Sequence, residues 1–228
     1  MRVWIAFIGL LFVALSSGAR ADGIYLAGAN RGATSDYAFV GAIVPLPGQS
    51  VGSGFAARIW GDYLDYTYRT GNQTITAAGF GGALAGVYQF SGDWGWANLS
   101  AGLTYRDLRL SAFDPGNRDR GGHGYFAAQV DGGYNIDDQW RVRHLASYTP
   151  TTSGYLLQLG LDREVSTGLR LGLSSAFQGD RNYTQISGGA IAFWQISPGL
   201  EIAPGIGVSH GDGSLSLYGG MTLVLIAN

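Results

Sequence analysis

The sequence contains no cysteine and no lysine, and it has few charged residues of any kind. Without cysteine, the chain can form neither a disulfide framework nor a thiolate metal site. All 14 basic residues are arginine, none forms a basic block, and the formal net charge is −2, so nucleic-acid binding has little electrostatic support. A charged fraction of 13% is low for the surface of a soluble protein.

The N-terminus carries an apolar run that is typical of an export signal. Residues 3–15 are apolar and follow Arg2, and residues 19–21 supply an Ala-x-Ala pattern. Signal peptidases cut after this pattern, so we predict a secretory signal peptide over residues 1–21 and one mature domain over residues 22–228. An N-terminal membrane anchor is the alternative, but the short run and its small-residue exit favour cleavage.

Residues 154–178 show the pattern that recurs through the mature chain. Every second residue from Tyr155 to Leu161 is large and apolar, and the residues between them are mostly small or polar. A turn at residues 166–168 leads to a second segment with the same alternation. A period of two predicts strands whose faces meet different surroundings. In a soluble sandwich the apolar face is buried, whereas in a membrane barrel it faces lipid and the polar face lines the lumen.

About 12 segments of this kind follow one another, and no stretch sustains helical spacing. Many are ten or more residues long, against a usual strand length of about five or six. A tilted strand needs roughly nine to eleven residues to cross a membrane. We therefore predict an all-β fold, an antiparallel up-and-down transmembrane β-barrel of about 12 strands (10–12).

The predicted connections differ between the two rims of this barrel. Those after odd-numbered segments include the longest and most charged, at residues 30–36 and 111–122, whereas those after segments six, eight and ten are tight. Outer-membrane barrels have short periplasmic turns and longer outer loops, so we expect the outer membrane of a Gram-negative bacterium, with its lipid as a partner. A secreted β-sandwich or jelly roll is the alternative, but it favours shorter strands and a more charged exterior.

Charged residues fall on the polar faces of several segments. The candidate lumen charges are Arg58, Arg106, Asp131, Arg141, Arg143, Asp162, Arg170 and Glu201. They are expected to form ion pairs that fill a narrow lumen, and the alternative is a path for a polar or anionic solute.

The third segment carries an aromatic patch of Trp60, Tyr63, Tyr66 and Tyr68. Aromatic side chains form girdles at membrane interfaces, and this is the expected role of the patch. Alternatively, the rings could stack on the glucose units of an emerging glucan.

The longest predicted loop contains a sharp turn at residues 114–117 (Asp-Pro-Gly-Asn), followed by an Arg-Asp-Arg-Gly sequence. Together with Gln129 and Asp131 on the next strand, this stretch resembles the BcsS-type cellulose biosynthesis proteins. Residues 177–183 (Phe-Gln-Gly-Asp-Arg-Asn-Tyr) are a second point of similarity. The resemblance implies a secreted, barrel-like protein of the outer membrane that acts beside cellulose synthesis or export, and it supplies no catalytic residues.

Residues of this loop and of the aromatic patch are candidate contacts for a polysaccharide. They are Asp114, Asn117, Arg118, Arg120, Trp60 and Tyr66. The charged tail of the loop could equally be solvated or contact lipid phosphate. Cellulose and the cellulose synthase or export complex are the partners that the resemblance implies, and no cofactor is expected.

The three histidines, His123, His144 and His210, give little support for catalysis. His144 lies mid-strand near Ser147, but a Ser–His pair also needs an orienting group and an oxyanion site. No clustered metal ligands or phosphate-binding loop are apparent. We therefore expect a non-enzymatic role, and the resemblance implies that this role is in cellulose production. A general porin-like or adhesin-like barrel and a lipid-modifying enzyme are the alternatives.

Overall fold

A computed structural model describes residues 22–181, 183–211 and 214–227, and the predicted signal peptide at residues 1–21 lies outside them. Among these described residues, no helix is long and apolar enough to cross a membrane. The strands are β1 (Gly23–Gly32), β2 (Ser35–Pro45), β3 (Gly54–Thr70), β4 (Gln73–Gly92), β5 (Gly95–Leu110), β6 (Gly121–Asn135), β7 (Trp140–Thr149), β8 (Gly154–Ser166), β9 (Leu169–Gly179), β10 (Thr184–Ser197), β11 (Leu200–Gly211) and β12 (Ser214–Ala227).

These strands close into one antiparallel barrel. Each strand pairs with its neighbours in the sequence, and β12 returns to pair with β1. The closing register runs from Gly23 opposite Ala227 to Gly32 opposite Tyr218. Closure leaves no unpaired edge, which is what a sheet requires inside a membrane. The prediction of an up-and-down barrel of about 12 strands is confirmed.

Residue parity along each strand separates the two faces of the wall. Leu159, Leu173 and Leu215 lie on the outer face and expose 60%, 69% and 72% of their surfaces. Asp162, one residue beyond the outward Leu161, is 0% exposed. The apolar face thus points outward and the polar face lines the lumen, as in a membrane barrel.

The two ends of the barrel carry different connections. Gly23 and Ala227 lie side by side and define the terminal end. The opposite end, called the loop end, carries residues 111–120 between β5 and β6 and residues 180–183 between β9 and β10. At the terminal end most turns are short, except for residues 46–53 between β2 and β3.

The prediction of a loop at residues 30–36 is wrong. β1 extends to Gly32 and β2 begins at Ser35, so only two residues connect them. Asn30 pairs with Tyr37, and Arg31 Nε lies 3.7 Å from Asp36 Oδ1. Cross-strand pairs of polar residues therefore continue the hairpin beyond its apolar part.

Two of the longer connections fold against the inner wall. At the terminal end, the backbone N–H of Gly52 donates to Gln89 Oε1 at 3.2 Å, beside a buried apolar cluster of Ile43, Ala56 and Val87. At the loop end, the hydroxyl of the inward Tyr68 donates to Asp114 Oδ2 of the β5–β6 connection at 2.8 Å. These two connections thus narrow the lumen, one at each end.

Leu173 offers a test of the outward face, because it lies mid-strand and is 69% exposed. We expect Leu173→Arg to reduce the free energy of folding into lipid vesicles by about 2–4 kcal/mol, the cost of arginine near a bilayer midplane. Denaturant titration of the vesicle-inserted barrel measures this difference.

Ile136 supplies the matched control, since it is exposed in the turn between β6 and β7. Ile136→Arg places the same side chain near the interface, where the cost is about 0–1 kcal/mol. Equal losses for the two variants would contradict the assignment of Leu173 to the lipid-facing belt.

Candidate functional site on the inner face of the barrel

All eight candidate lumen charges lie on the inner face, at positions that alternate with the exposed apolar side chains. They form two groups. One is centred on Asp162 near the terminal end of β7 to β11, and the other includes Arg58, Arg106 and Asp131 on β3, β5 and β6. Each group also recruits side chains that the sequence pattern did not single out.

The first group is built around the carboxylate of Asp162. Its Oδ1 atom accepts from Arg170 Nε at 2.5 Å, and its Oδ2 atom accepts from Arg143 Nε at 2.8 Å. Arg141 Nη2 lies 3.3 Å from Oδ1, and Arg170 Nη1 also reaches Glu164 Oε2 at 2.9 Å. Three cations on two strands thus share one carboxylate, an arrangement that we call the Asp162 cluster.

Glycine makes room for the Asp162 cluster. A Cβ at Gly172 would lie 2.7 Å from the Cβ of Asp162, and one at Gly160 would lie 2.9 Å from Arg143 Nη2. A side chain at either position would therefore displace the ion pairs. Part of the glycine content thus follows from the packing of arginine inside a narrow barrel.

An aromatic ring completes the Asp162 cluster. The guanidinium carbon of Arg143 lies 3.9 Å from the ring centroid of Phe193 on β10, and that of Arg141 lies 5.6 Å away. Cation–π contact stabilises arginines whose water is displaced. Sequence reasoning missed Phe193, although its neighbour Trp194 faces outward and the alternation along β10 therefore marks Phe193 as inward.

The second group combines one ion pair with an amide network. Arg106 binds Asp62, which sequence reasoning also missed. Asp131 accepts hydrogen bonds from Asn98 Nδ2 at 2.9 Å and from Gln129 Nε2 at 2.7 Å. Side-chain amides are thus the hydrogen-bond donors to Asp131, whereas arginines are the donors to Asp162.

Arg58 is the exception among the candidate charges. It has no carboxylate of the described residues within 4.0 Å, and its guanidinium lies 4.8 Å from the Trp60 ring centroid. Trp60 also stacks on Phe39, with centroids 4.7 Å apart and an interplanar angle of 11°. Trp60 is therefore engaged by its own barrel.

The aromatic girdle predicted for the third strand is wrong for three of its four members. Trp60, Tyr66 and Tyr68 share the parity of Arg58 and face inward. Only Tyr63 faces outward, where it packs against Phe80 with ring centroids 5.0 Å apart. The physical reason is the strand period of two: Trp60, Tyr66 and Tyr68 are even numbers of residues apart and share one face, whereas Tyr63 lies at an odd spacing from them.

The β5–β6 loop is fastened to β3 by its predicted turn. The hydroxyl of Tyr68 donates to Asp114 Oδ2 at 2.8 Å and accepts from Asn117 Nδ2 at 3.2 Å. Asp114 and Asn117 are both buried. These two candidate contacts are therefore occupied in holding the loop, whereas Arg118 and Arg120 are exposed, with Arg120 4.4 Å from the Phe113 ring centroid.

The β9–β10 loop approaches from the other side of the barrel. Arg181 donates to the backbone carbonyl of Thr151, and the N–H of Asp180 donates to the carbonyl of Tyr183 at 3.0 Å. Burial, followed by the nearby Asp180 carboxylate, raises the pKa of Tyr183 to about 12, and Tyr66 adds to the effect. β3 and β10 are almost opposite in the ring of strands, so Tyr66 and Tyr183 come from different sides of the mouth.

The chain matches the model of a known protein family. This model, described as "Cellulose biosynthesis protein BcsS", matches residues 24–226, which is nearly the whole barrel. The chain belongs to the BcsS family. The resemblance noted at the β5–β6 loop is thus confirmed. No curated protein matches the chain.

The fold of this BcsS protein is similar to solved outer-membrane barrels. The transport unit of the autotransporter AIDA-I from Escherichia coli is 12% identical, with a TM-score of 0.55 over 94% of this chain and 92% of that one. The NalP translocator domain from Neisseria meningitidis is 11% identical, with a TM-score of 0.51 over 98% and 94%. An outer membrane channel from Pseudomonas putida F1 is 10% identical, with a TM-score of 0.51 over 92% and 99%. These likenesses concern the fold alone.

Removal of the Asp162 carboxylate tests the central ion cluster. In Asp162→Asn, three arginines lose their shared anion, and an uncompensated buried charge costs about 3–5 kcal/mol. We expect the free energy of unfolding in lipid vesicles to fall by that amount, as measured by denaturant titration. Asp36→Asn breaks the exposed pair with Arg31 and should cost less than about 1 kcal/mol. Similar losses for both variants would show that the Asp162 cluster contributes no more than a surface pair.

The hold of Tyr68 on the β5–β6 loop is testable by proteolysis. Tyr68→Phe removes the hydroxyl that binds Asp114 and Asn117, so cleavage by trypsin after Arg118 and Arg120 should become several-fold faster. Mass spectrometry of the timed digests identifies these sites. Tyr63→Phe is the control, because it removes an outward hydroxyl from the same strand. If it accelerates cleavage equally, the loop is not held by Tyr68.

Proposed function

We propose that this chain is a non-enzymatic outer-membrane barrel that acts as an accessory protein in cellulose production or export. The match of the BcsS family model to residues 24–226 carries the link to cellulose. It covers all 12 strands nearly from end to end, so the family likeness belongs to the barrel itself.

Three observations support an outer-membrane location. The outer face is largely apolar, the barrel is closed, and the sequence begins with the pattern of an export signal. The exterior has exposed leucine, phenylalanine and isoleucine at its middle, where a soluble barrel would carry charge. A closed wall with an apolar exterior is stable in lipid because its backbone groups are paired internally.

The lumen supports an organising role more than that of a general pore. The Asp162 cluster places three guanidinium groups and Phe193 in the same part of the lumen, and Asp162 itself is fully covered. Residues 46–53 and 111–120 fold inward from the two ends. A porin-like barrel would keep such an interior open and hydrated.

The positions of serine and histidine support a non-enzymatic role. His144 pairs with Gly132 and Leu159 on the outer face, whereas Ser147 pairs with Gln129 and Leu156 on the inner face. The wall therefore separates the two groups that a Ser–His hydrolase would bring together. Among the described residues, no three metal-binding side chains cluster.

The proposal is tested by deleting the gene in its own host. We expect the amount of cellulase-sensitive exopolysaccharide to fall several-fold or its fibre form to change, and the wild-type gene to restore both. The His144→Ala variant should restore them equally, since the imidazole has no part in the proposed role.

Two outcomes would contradict the proposal. Unchanged cellulose amount and fibre form in the deletion strain would favour a general porin-like or adhesin-like barrel. A failure of His144→Ala to complement, together with an altered lipid A or phospholipid profile, would favour a lipid-modifying enzyme. Fractionation and a comparison of unboiled with boiled gel samples confirm in each strain that the barrel is folded in the outer membrane.

A further inference from the structure

Tyrosines from three parts of the chain converge on the loop end. Tyr66 and Tyr68 lie on the inner face of β3, with ring centroids 5.9 Å apart. Tyr125 lies on the inner face of β6, where it stacks on His123 at 6.0 Å. Tyr183 comes from the β9–β10 loop. We call Tyr66, Tyr68, Tyr125 and Tyr183 the mouth cluster.

The β9–β10 loop adds Tyr183 to the inward tyrosines at the loop end. Tyr183 directly precedes β10, and Arg181 of the same loop donates to the backbone carbonyl of Thr151 in the β7–β8 connection. β3, β6 and β10 are widely spaced around the ring of strands. Rings at these positions surround the mouth and do not form a patch on one wall.

Tyr183 is the exposed member of the mouth cluster, and Tyr66, Tyr68 and Tyr125 are half-buried. Trp60 is covered by Phe39 on one side and contacted by Arg58, and Phe193 is buried against Arg143. Tyr183 is 40% exposed. Tyr183 therefore offers the largest exposed fraction of the mouth cluster to a ligand.

The loops at the mouth balance their charges. Residues 111–120 carry two aspartates and two arginines, and residues 180–183 carry one of each. The mouth therefore presents no excess of positive charge that would attract a polyanion. Its recognition chemistry is that of rings with hydroxyl groups, the amphipathic combination that packs on the apolar face of a sugar and hydrogen-bonds its edge.

We propose that the mouth cluster binds a neutral β-1,4-linked glucan chain, with Tyr66, Tyr125 and Tyr183 supplying the ring surfaces. This rests on the proposed function, because the link to cellulose selects glucan among neutral saccharides. Tyr68 has a positioning role: its hydroxyl holds Asp114 and Asn117 and thereby places the β5–β6 loop beside the rings. The chain thus meets the polymer at its rim.

Cellohexaose binding by the purified, folded barrel tests the proposal. Ligand-observed NMR titration should show saturable binding of cellohexaose and much weaker binding of an oligogalacturonate of the same length. Tyr183→Leu should weaken cellohexaose binding roughly tenfold, which corresponds to about 1.4 kcal/mol. Tyr183→Phe retains the ring and should stay within a few-fold of wild type. Tyr183 lies outside the strands, so neither substitution should disturb the barrel wall. The position of the unboiled gel band reports whether each variant is folded.

Tyr134→Leu is the matched control, because Tyr134 is an exposed tyrosine near the terminal end of β6. It should bind cellohexaose as wild type does. Absence of saturable binding to the wild-type barrel, equal loss in Tyr134→Leu, or preference for oligogalacturonate would each overturn the glucan site. If the glucan site is overturned but the deletion strain still loses cellulose, the accessory function stands. If the barrel binds cellohexaose but the deletion strain has no phenotype, only the accessory function is overturned.

Discussion

The carboxylate of Asp162 is the contact on which the inner face of this barrel depends. It lies on β8 and binds arginines from β7 and β9, so that one covered group ties three strands together. Guanidinium groups inside a narrow lumen lose much of their hydration, and their charge must be balanced by neighbouring side chains. The small residues Gly160 and Gly172 leave the space for this balance. Charge pairing inside and lipid contact outside therefore arise from the same alternation along each strand.

That alternation explains how much of the fold the sequence could predict. Strand length, period and the direction of each face follow from residues such as Leu173 and Arg170, because every second residue must meet lipid. The same rule also places Trp60 and Tyr66 inside, since both are an even number of residues from Arg58 on one strand. The girdle interpretation failed because it weighed residue type above parity. The prediction of a loop at residues 30–36 was wrong for a similar reason, because the polar residues there were taken as a sign of irregular structure.

Contacts across the lumen could not be predicted in this way. Hairpin register relates each strand only to its two neighbours, whereas Tyr68 binds Asp114 from a loop 46 residues further along the chain. Arg143 packs on Phe193 although β8 and β9 lie between their strands. Such contacts depend on the curvature of the closed wall and on how far each loop folds inward. For the same reason, the convergence of Tyr66 and Tyr183 is a property of the closed barrel and has no counterpart in any one segment.

The two ends of the barrel consequently have different chemistry. Near the terminal end, ion pairs and Phe193 fill the interior. Because these charged groups are already paired with one another, few of them are left to bind a ligand. At the loop end, tyrosines remain partly open and the neighbouring loop charges cancel. In an outer-membrane barrel the longer loops face the exterior, so under the proposed function the loop end is the one that meets secreted polymer. At the proposed glucan site, the hydrogen bonds of Tyr68 to Asp114 and Asn117 hold the β5–β6 loop in place, and a loop fastened in this way loses less conformational freedom when a ligand binds.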